Sequence, residues 1–149
     1  MTNQEHAQSL FTSGFNCSQS VFVPFAETLG MDSATALKLT TGFGAGMARM
    51  QETCGAVTGA YLAIGLRHGR IRVEDELARE ETYILMLDFK EAFERLHQST
   101  NCRVLLGIDF QTPEGNLAYH NNNLSENVCL KCVGNAAAIV EKLFEENPV

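Results

Sequence analysis

The chain has 149 residues, 45% of them hydrophobic and 19% charged, which suits one folded domain over residues 1–149 with a real core. Acidic residues number 18 against 11 basic ones, and the net charge of -7 argues against a nucleic-acid backbone as partner. No apolar run reaches the roughly 18 residues of a membrane span, and Met1 to His6 lack the basic-then-apolar pattern of a secretory leader. The expectation is a cytoplasmic chain with no membrane span and no nucleic-acid partner. Its five cysteines then stand out. Without export they suit metal binding or redox chemistry better than a disulfide scaffold, and an odd number cannot all pair internally.

Along the chain the apolar pattern is helical throughout. A first helix is predicted from Asn3 to Thr12, with Ala7, Leu10 and Phe11 on one side. Asn16 can cap a second that buries Cys17, Val21, Phe22 and Phe25 and is bent by Pro24, and Gly30 ends it. Asp32 or Ser33 starts a third, through Leu37 and Leu39. Gly42, Gly44 and Gly46 then break the pattern. Thr53 to Leu66 reads as a helix in which Gly55, Gly59 and Ala63 leave a face open to close packing. Val73 to Leu96 is a longer one, its apolar side assigned to Leu77, Ile84, Leu85, Leu87, Phe89, Phe93 and Leu96. Asn101 can cap a short helix through Cys102 and Leu106, and Gly107 to Asn123 reads as a turn-rich connection. Ser125 opens the last helix, which buries Val133, Ala136, Ala137, Val140, Leu143 and Phe144. No segment alternates as a strand. The predicted fold is all-α, a compact bundle of about five to seven helices with a Gly-rich loop.

The cysteines are spaced Cys17-x36-Cys54-x47-Cys102-x26-Cys129-x2-Cys132, so only the last pair is a local motif. Placement says more. Asn16, Thr53 and Asn101 precede Cys17, Cys54 and Cys102, and Asn127 stands two before Cys129; all four are helix-capping types. Each thiol is therefore expected in the first turn of a helix, where unpaired N–H groups favour the thiolate. The competing reading is that buried cysteines are small hydrophobes. The Gly42-x-Gly44-x-Gly46 segment could present N–H groups to an anion or a cluster, but a tight connection with positive φ angles is the simpler reading. Arg49 and Glu52 should pull on Cys54 in opposite directions. His6, His68, His97 and His120 show no ligand spacing and read as surface or helix-end residues. Val133 stands where c-type haem attachment needs a histidine, so no c-type haem is expected.

Several blocks carry a resemblance. Gly14-Phe15-Asn16-Cys17, the run Gly42 to Ala60 with Cys-Gly-Ala-x-x-Gly at Cys54 to Gly59, Cys102 to Gly107, Thr112-Pro113-Glu114-Gly115 and Cys129 together resemble the C_GCAxxG_C_C family. The resemblance spans about Asn3 to Phe144. It implies a small helical bacterial protein with four characteristic cysteines, at Cys17, Cys54, Cys102 and Cys129 here, and a redox role. It also implies similarity to the helical region of split-Soret cytochromes. Cys132 falls where the resemblance implies a non-cysteine, beside a proline-type position held here by Leu130. Some relatives carry a twin-arginine leader, which this chain is expected to lack.

Three functions follow as expectations. In the leading one, Cys17, Cys54, Cys102 and Cys129 converge and bind an iron–sulfur cluster, or a zinc ion, for electron transfer. Gly55 and Gly59 would let backbone approach the cofactor. In the second, the thiols cycle to disulfides with no metal, for instance Cys17 with Cys54 and Cys102 with Cys129, and exchange with a thiol partner. In the third, the chain is a binding or scaffold module with structural cysteines. Small-residue faces also suggest a homodimer.

Overall fold

The computed structural model describes residues 1–149. Eight right-handed α-helices follow one another: α1 (Asn3–Thr12), α2 (Cys17–Thr28), α3 (Ser33–Thr40), α4 (Gly55–His68), α5 (Glu76–His97), α6 (Cys102–Leu106), α7 (Pro113–Asn121) and α8 (Leu130–Glu146). Their starts are set by side chains that complete the first turn. Thr2, Asn16, Asp32, Asp75, Asn101 and Thr112 each accept the backbone N–H three residues on. Thr2 and Asn16 complete capping boxes with Glu5 and Gln19.

The all-α expectation holds, with one helix more than the range foreseen. The addition is α7, inside the segment read as turns. Thr112 caps it, Pro113 occupies its first turn where a missing N–H costs nothing, and Glu114 meets the positive end of its dipole. The last helix also begins differently. Ser125–Cys129 forms a π-helical turn, and regular α8 starts only at Leu130.

Helix α2 lies at the centre, with nine of its twelve residues buried. It packs on α1, α3, α4 and α8. Pro24 sits inside this helix and is itself buried. The small face of α4 meets α2 so closely that a Cβ on Gly59 would lie 2.8 Å from the Ser18 carbonyl oxygen. Phe22 and Phe25 of α2, Val57 and Ile64 of α4, Leu85, Phe89 and Phe93 of α5, and Val133 and Val140 of α8 fill the core. On α5 the buried stripe is narrower than expected. Leu85, Phe89 and Phe93 face inward at helical spacing, whereas Leu77, Ile84, Leu87 and Leu96 are exposed. No helix is long and apolar enough to cross a membrane.

Candidate functional site

All five cysteines line one cavity of about 310 Å3. Cys17 opens α2, Cys102 opens α6, Cys54 stands at the cap position of α4, Cys129 ends the π turn and Cys132 lies in the first turn of α8. Cys17, Cys54, Cys102 and Cys132 are 9%, 7%, 6% and 1% exposed, so the thiols sit in the interior. Cys129 is half-buried, and every thiol is free. Phe15, Leu105, Leu106, Phe110 and Val128 make the remaining wall largely apolar. Of the two glycines singled out from the sequence, Gly55 lines the cavity, and Gly59 lies beside it in the α2–α4 packing.

The backbone around Cys54 and Cys102 is tied together. The Cys54 N–H donates to the Thr100 carbonyl and the Cys102 N–H to that of Glu52, both at 2.7 Å, flanking an antiparallel bridge between Thr53 and Asn101. A second tie comes from the buried Gln51, which accepts from the Phe110 N–H at 2.8 Å and donates to the Ile108 carbonyl at 2.9 Å. That pair of bonds holds Phe110 at the cavity wall. Before this lies a strained segment. Ala45, Gly46, Met47, Ala48 and Arg49 run in succession at φ 53°, 65°, 68°, 53° and 66°. This is a left-handed turn that costs each non-glycine residue about 1–2 kcal/mol. Of Gly42, Gly44 and Gly46, only Gly46 takes the expected positive φ; the left-handed run continues through residues other than glycine. The cavity requires Gly46 and Gly55 for contact reasons as well. A Cβ on Gly46 would stand 2.6 Å from the Cys102 Cβ, and one on Gly55 3.1 Å from the Cys17 Cβ.

The thiols act on each other in pairs. Cys129 acts most strongly on Cys17, pushing its thiol well up, and Cys17 in turn draws Cys129 down. Cys54 and Cys132 form the second pair, which draws Cys54 down and pushes Cys132 far up. The backbone N–H groups of Ala56 and Val57 add to the lowering of Cys54, although no capping bond of full geometry forms. Cys102 belongs to neither pair, and burial, with the neighbouring thiolate charges, pushes it up to about 12. The helix-start expectation is therefore corrected. Cys17 and Cys102 do open helices, yet burial and neighbouring sulfur outweigh the dipole; Cys129 is not in a first turn, and its contact with Cys17 is what lowers it. Arg49 and Glu52 are not among the groups that act on Cys54.

Three polar neighbours complete the site. The Tyr119 hydroxyl donates to the Cys129 sulfur at 3.9 Å. Nδ1 of His97 lies 3.8 Å from the Cys132 sulfur, and the Asn135 amide holds the other ring nitrogen at 3.0 Å. His97 is thus no ordinary helix-end residue; it lies against a site thiol, 35 positions away in the chain. No group of three or more His, Cys, Asp or Glu side chains is arranged to hold a single metal ion.

A family model described as "Putative redox-active protein (C_GCAxxG_C_C)" matches residues 15–143. The chain belongs to the C_GCAxxG_C_C family. No curated protein and no solved structure matches it. In this C_GCAxxG_C_C protein the matched span takes in all five cysteines, and with them His97, Tyr119 and Asn135.

Proposed function

We propose that the cavity is the redox centre of this protein, and that Cys17, Cys54, Cys102 and Cys129 hold an iron–sulfur cluster in it for electron transfer. The observation that carries the reading is convergence: thiols from four separate elements end on one largely apolar cavity. Thiolates are the ligands such clusters take. Ionised together without a cation they oppose one another, an effect that adds to the influence of Cys129 and burial on Cys17 and to burial on Cys102. Gly46 and Gly55 leave the space that a Cβ would fill beside Cys102 and Cys17. A cluster shares its ligands among several iron atoms, so they need not surround one point.

When bound, a cluster supplies a one-electron couple. The chain would tune that couple through the N–H groups of Ala56 and Val57 near Cys54, the Tyr119 hydroxyl on Cys129, and the largely apolar wall.

The test is anaerobic purification followed by visible absorption and iron and sulfide analysis per chain. Charge-transfer bands and stoichiometric iron and sulfide, both lost in Cys54→Ser, are expected. A colourless chain without iron, whose free thiols fall in number on oxidation, overturns the cluster and leaves thiol–disulfide exchange. Thiols that also stay inert make the cysteines structural and point to a scaffold module.

A further inference from the structure

Four of the five thiols are 9% exposed or less, and Cys129 is the one that is half-buried. Tyr119 stands on it, the hydroxyl donating to the sulfur at 3.9 Å. The Tyr119 ring, itself half-buried, meets the exposed His120 ring edge-on, with centroids 5.5 Å apart. Phe110 packs on the same phenol at 5.2 Å and is in turn fixed by Gln51, which accepts from its N–H at 2.8 Å. Three touching groups thus join a site sulfur to the surface, and the middle one is held in place. The contact on Cys132 leads instead into the core: His97 packs on Phe93 and Phe93 on Phe89, at 4.5 and 5.8 Å, and both phenyl rings are fully buried.

The chemistry of the groups agrees with the geometry. A phenol gives up an electron far more readily than a phenyl ring, and its O–H bond is about as strong as a thiol S–H, so a hydrogen atom can pass between the two. The surface above it is open to carriers of either charge. From Gly115 to Ser125 there is no Asp, Glu, Lys or Arg, in a chain whose net charge is -7.

We propose that Cys129 and Tyr119 form a radical relay, through which electrons leave the cysteine cavity one at a time for an oxidant at the surface beside His120. The oxidant is a one-electron carrier, and it is reduced by one electron taken from the Tyr119 phenol, whose proton passes to water. The tyrosyl radical then takes a hydrogen atom from the Cys129 thiol, which restores the phenol and leaves a thiyl radical on Cys129. In sum the thiol has lost one electron and one proton, and the carrier has gained the electron. As the exit for electrons of a cluster the relay rests on the proposed function; the transfer between Tyr119 and Cys129 does not.

The experiment takes the full chain, measures its iron as purified anaerobically, removes metal with a chelator, and adds hexachloroiridate(IV) together with a spin trap. Adducts are mapped by mass spectrometry of the peptides. An adduct on Cys129 is expected. Tyr119→Phe, which keeps a ring against Phe110, should lose it, and Cys129→Ser should shift the adduct to Tyr119. Tyr83→Phe, at another exposed tyrosine, should leave the Cys129 adduct unchanged. A Cys129 adduct undiminished in Tyr119→Phe would show that the oxidant reaches sulfur without the phenol, and it overturns the proposal. An adduct on Cys17 or Cys132 in place of Cys129, or no cysteine adduct in the natural chain, overturns it as well. A Tyr119-dependent adduct in a chain that never holds iron retains the relay and removes the cluster. Iron in a chain whose Cys129 adduct ignores Tyr119 does the reverse.

Discussion

The hydroxyl of Tyr119 donates to the sulfur of Cys129, 3.9 Å away on the other side of the π turn. This bond, after the contact with Cys17, helps to hold the Cys129 thiol below its ordinary range. Cys129 is also the least buried of the five cysteines. In the metal-free chain it should therefore react first with iodoacetamide near neutral pH. Tyr119→Phe should slow that labelling about two- to fivefold, the worth of one weak hydrogen bond to sulfur. Cys17→Ala removes the larger cause and should slow it further. Rates are read by mass spectrometry of the labelled peptides. An unchanged rate in both variants would mean that neither contact governs the thiol.

How far the sequence revealed this site differs from residue to residue. Asn16, Asp32 and Asn101 were legible because a cap and the helix it starts are neighbours in the chain. Gly59 was legible because a small residue every four positions marks one helix face, and that face does meet α2. Helix α7 was written in Thr112-Pro113-Glu114 as cap, first-turn proline and first-turn acid, a signal obscured by the turn-forming residues around it. His97 was not legible: its place beside Cys132 depends on how α5 and α8 pack across 35 residues of sequence. Nor were the left-handed Ala45, Met47, Ala48 and Arg49, since nothing local favours positive φ in those residue types; the surrounding ties impose it. The thiol pairing is of the same kind. Cys129 acts on Cys17 and Cys132 on Cys54, couplings that the linear order leaves open, since four cysteines allow three pairings.

Gln51 is expected to matter more for stability than its polar type suggests. Its amide satisfies the Phe110 N–H and the Ile108 carbonyl from a buried position. Gln51→Leu keeps much of the volume and orphans both backbone groups, for a loss of about 2–4 kcal/mol. Gln51→Glu keeps the acceptor for Phe110 and loses only the donor to Ile108, so it should fall between. Chemical denaturation of the three chains tests the order. A Leu variant as stable as the natural chain would show that water takes over both bonds.

Mild acid should weaken the fold through two histidines. Burial lowers the pKa of His97, and burial followed by the nearby Arg67 lowers that of His68. A histidine depressed in the folded state keeps its full contribution above its unfolded pKa of about 6.5. Below that the unfolded chain takes up protons that the folded chain refuses, and stability falls until the folded pKa is passed. The melting temperature should therefore drop between about pH 7 and pH 5.5. The double variant His68→Gln, His97→Gln should flatten that slope, and thermal melts across the range measure it. A natural chain whose melting temperature stays level or rises over this window would contradict the assignment.

Two glycines give opposite outcomes on the same substitution. Gly46 has φ +65°, and a Cβ there would lie 2.6 Å from both the Cys102 Cβ and the Gln51 Cα. Gly46→Ala should cost about 3 kcal/mol, from the left-handed backbone together with overpacking against atoms that the Gln51 and Glu52 ties hold in place. It should also move Cys102 away from the cavity. Gly65, inside α4, has nothing within 4 Å of its Cβ direction and a right-handed backbone. Gly65→Ala should gain up to about 1 kcal/mol by stiffening the unfolded chain and favouring the helix. Denaturation midpoints give both signs, and the alkylation rate of Cys102 reports the displacement in the first variant. If Gly46→Ala were as stable as the natural chain and left Cys102 protected, the close packing of the left-handed turn against α6 would not be what holds this thiol at the cavity.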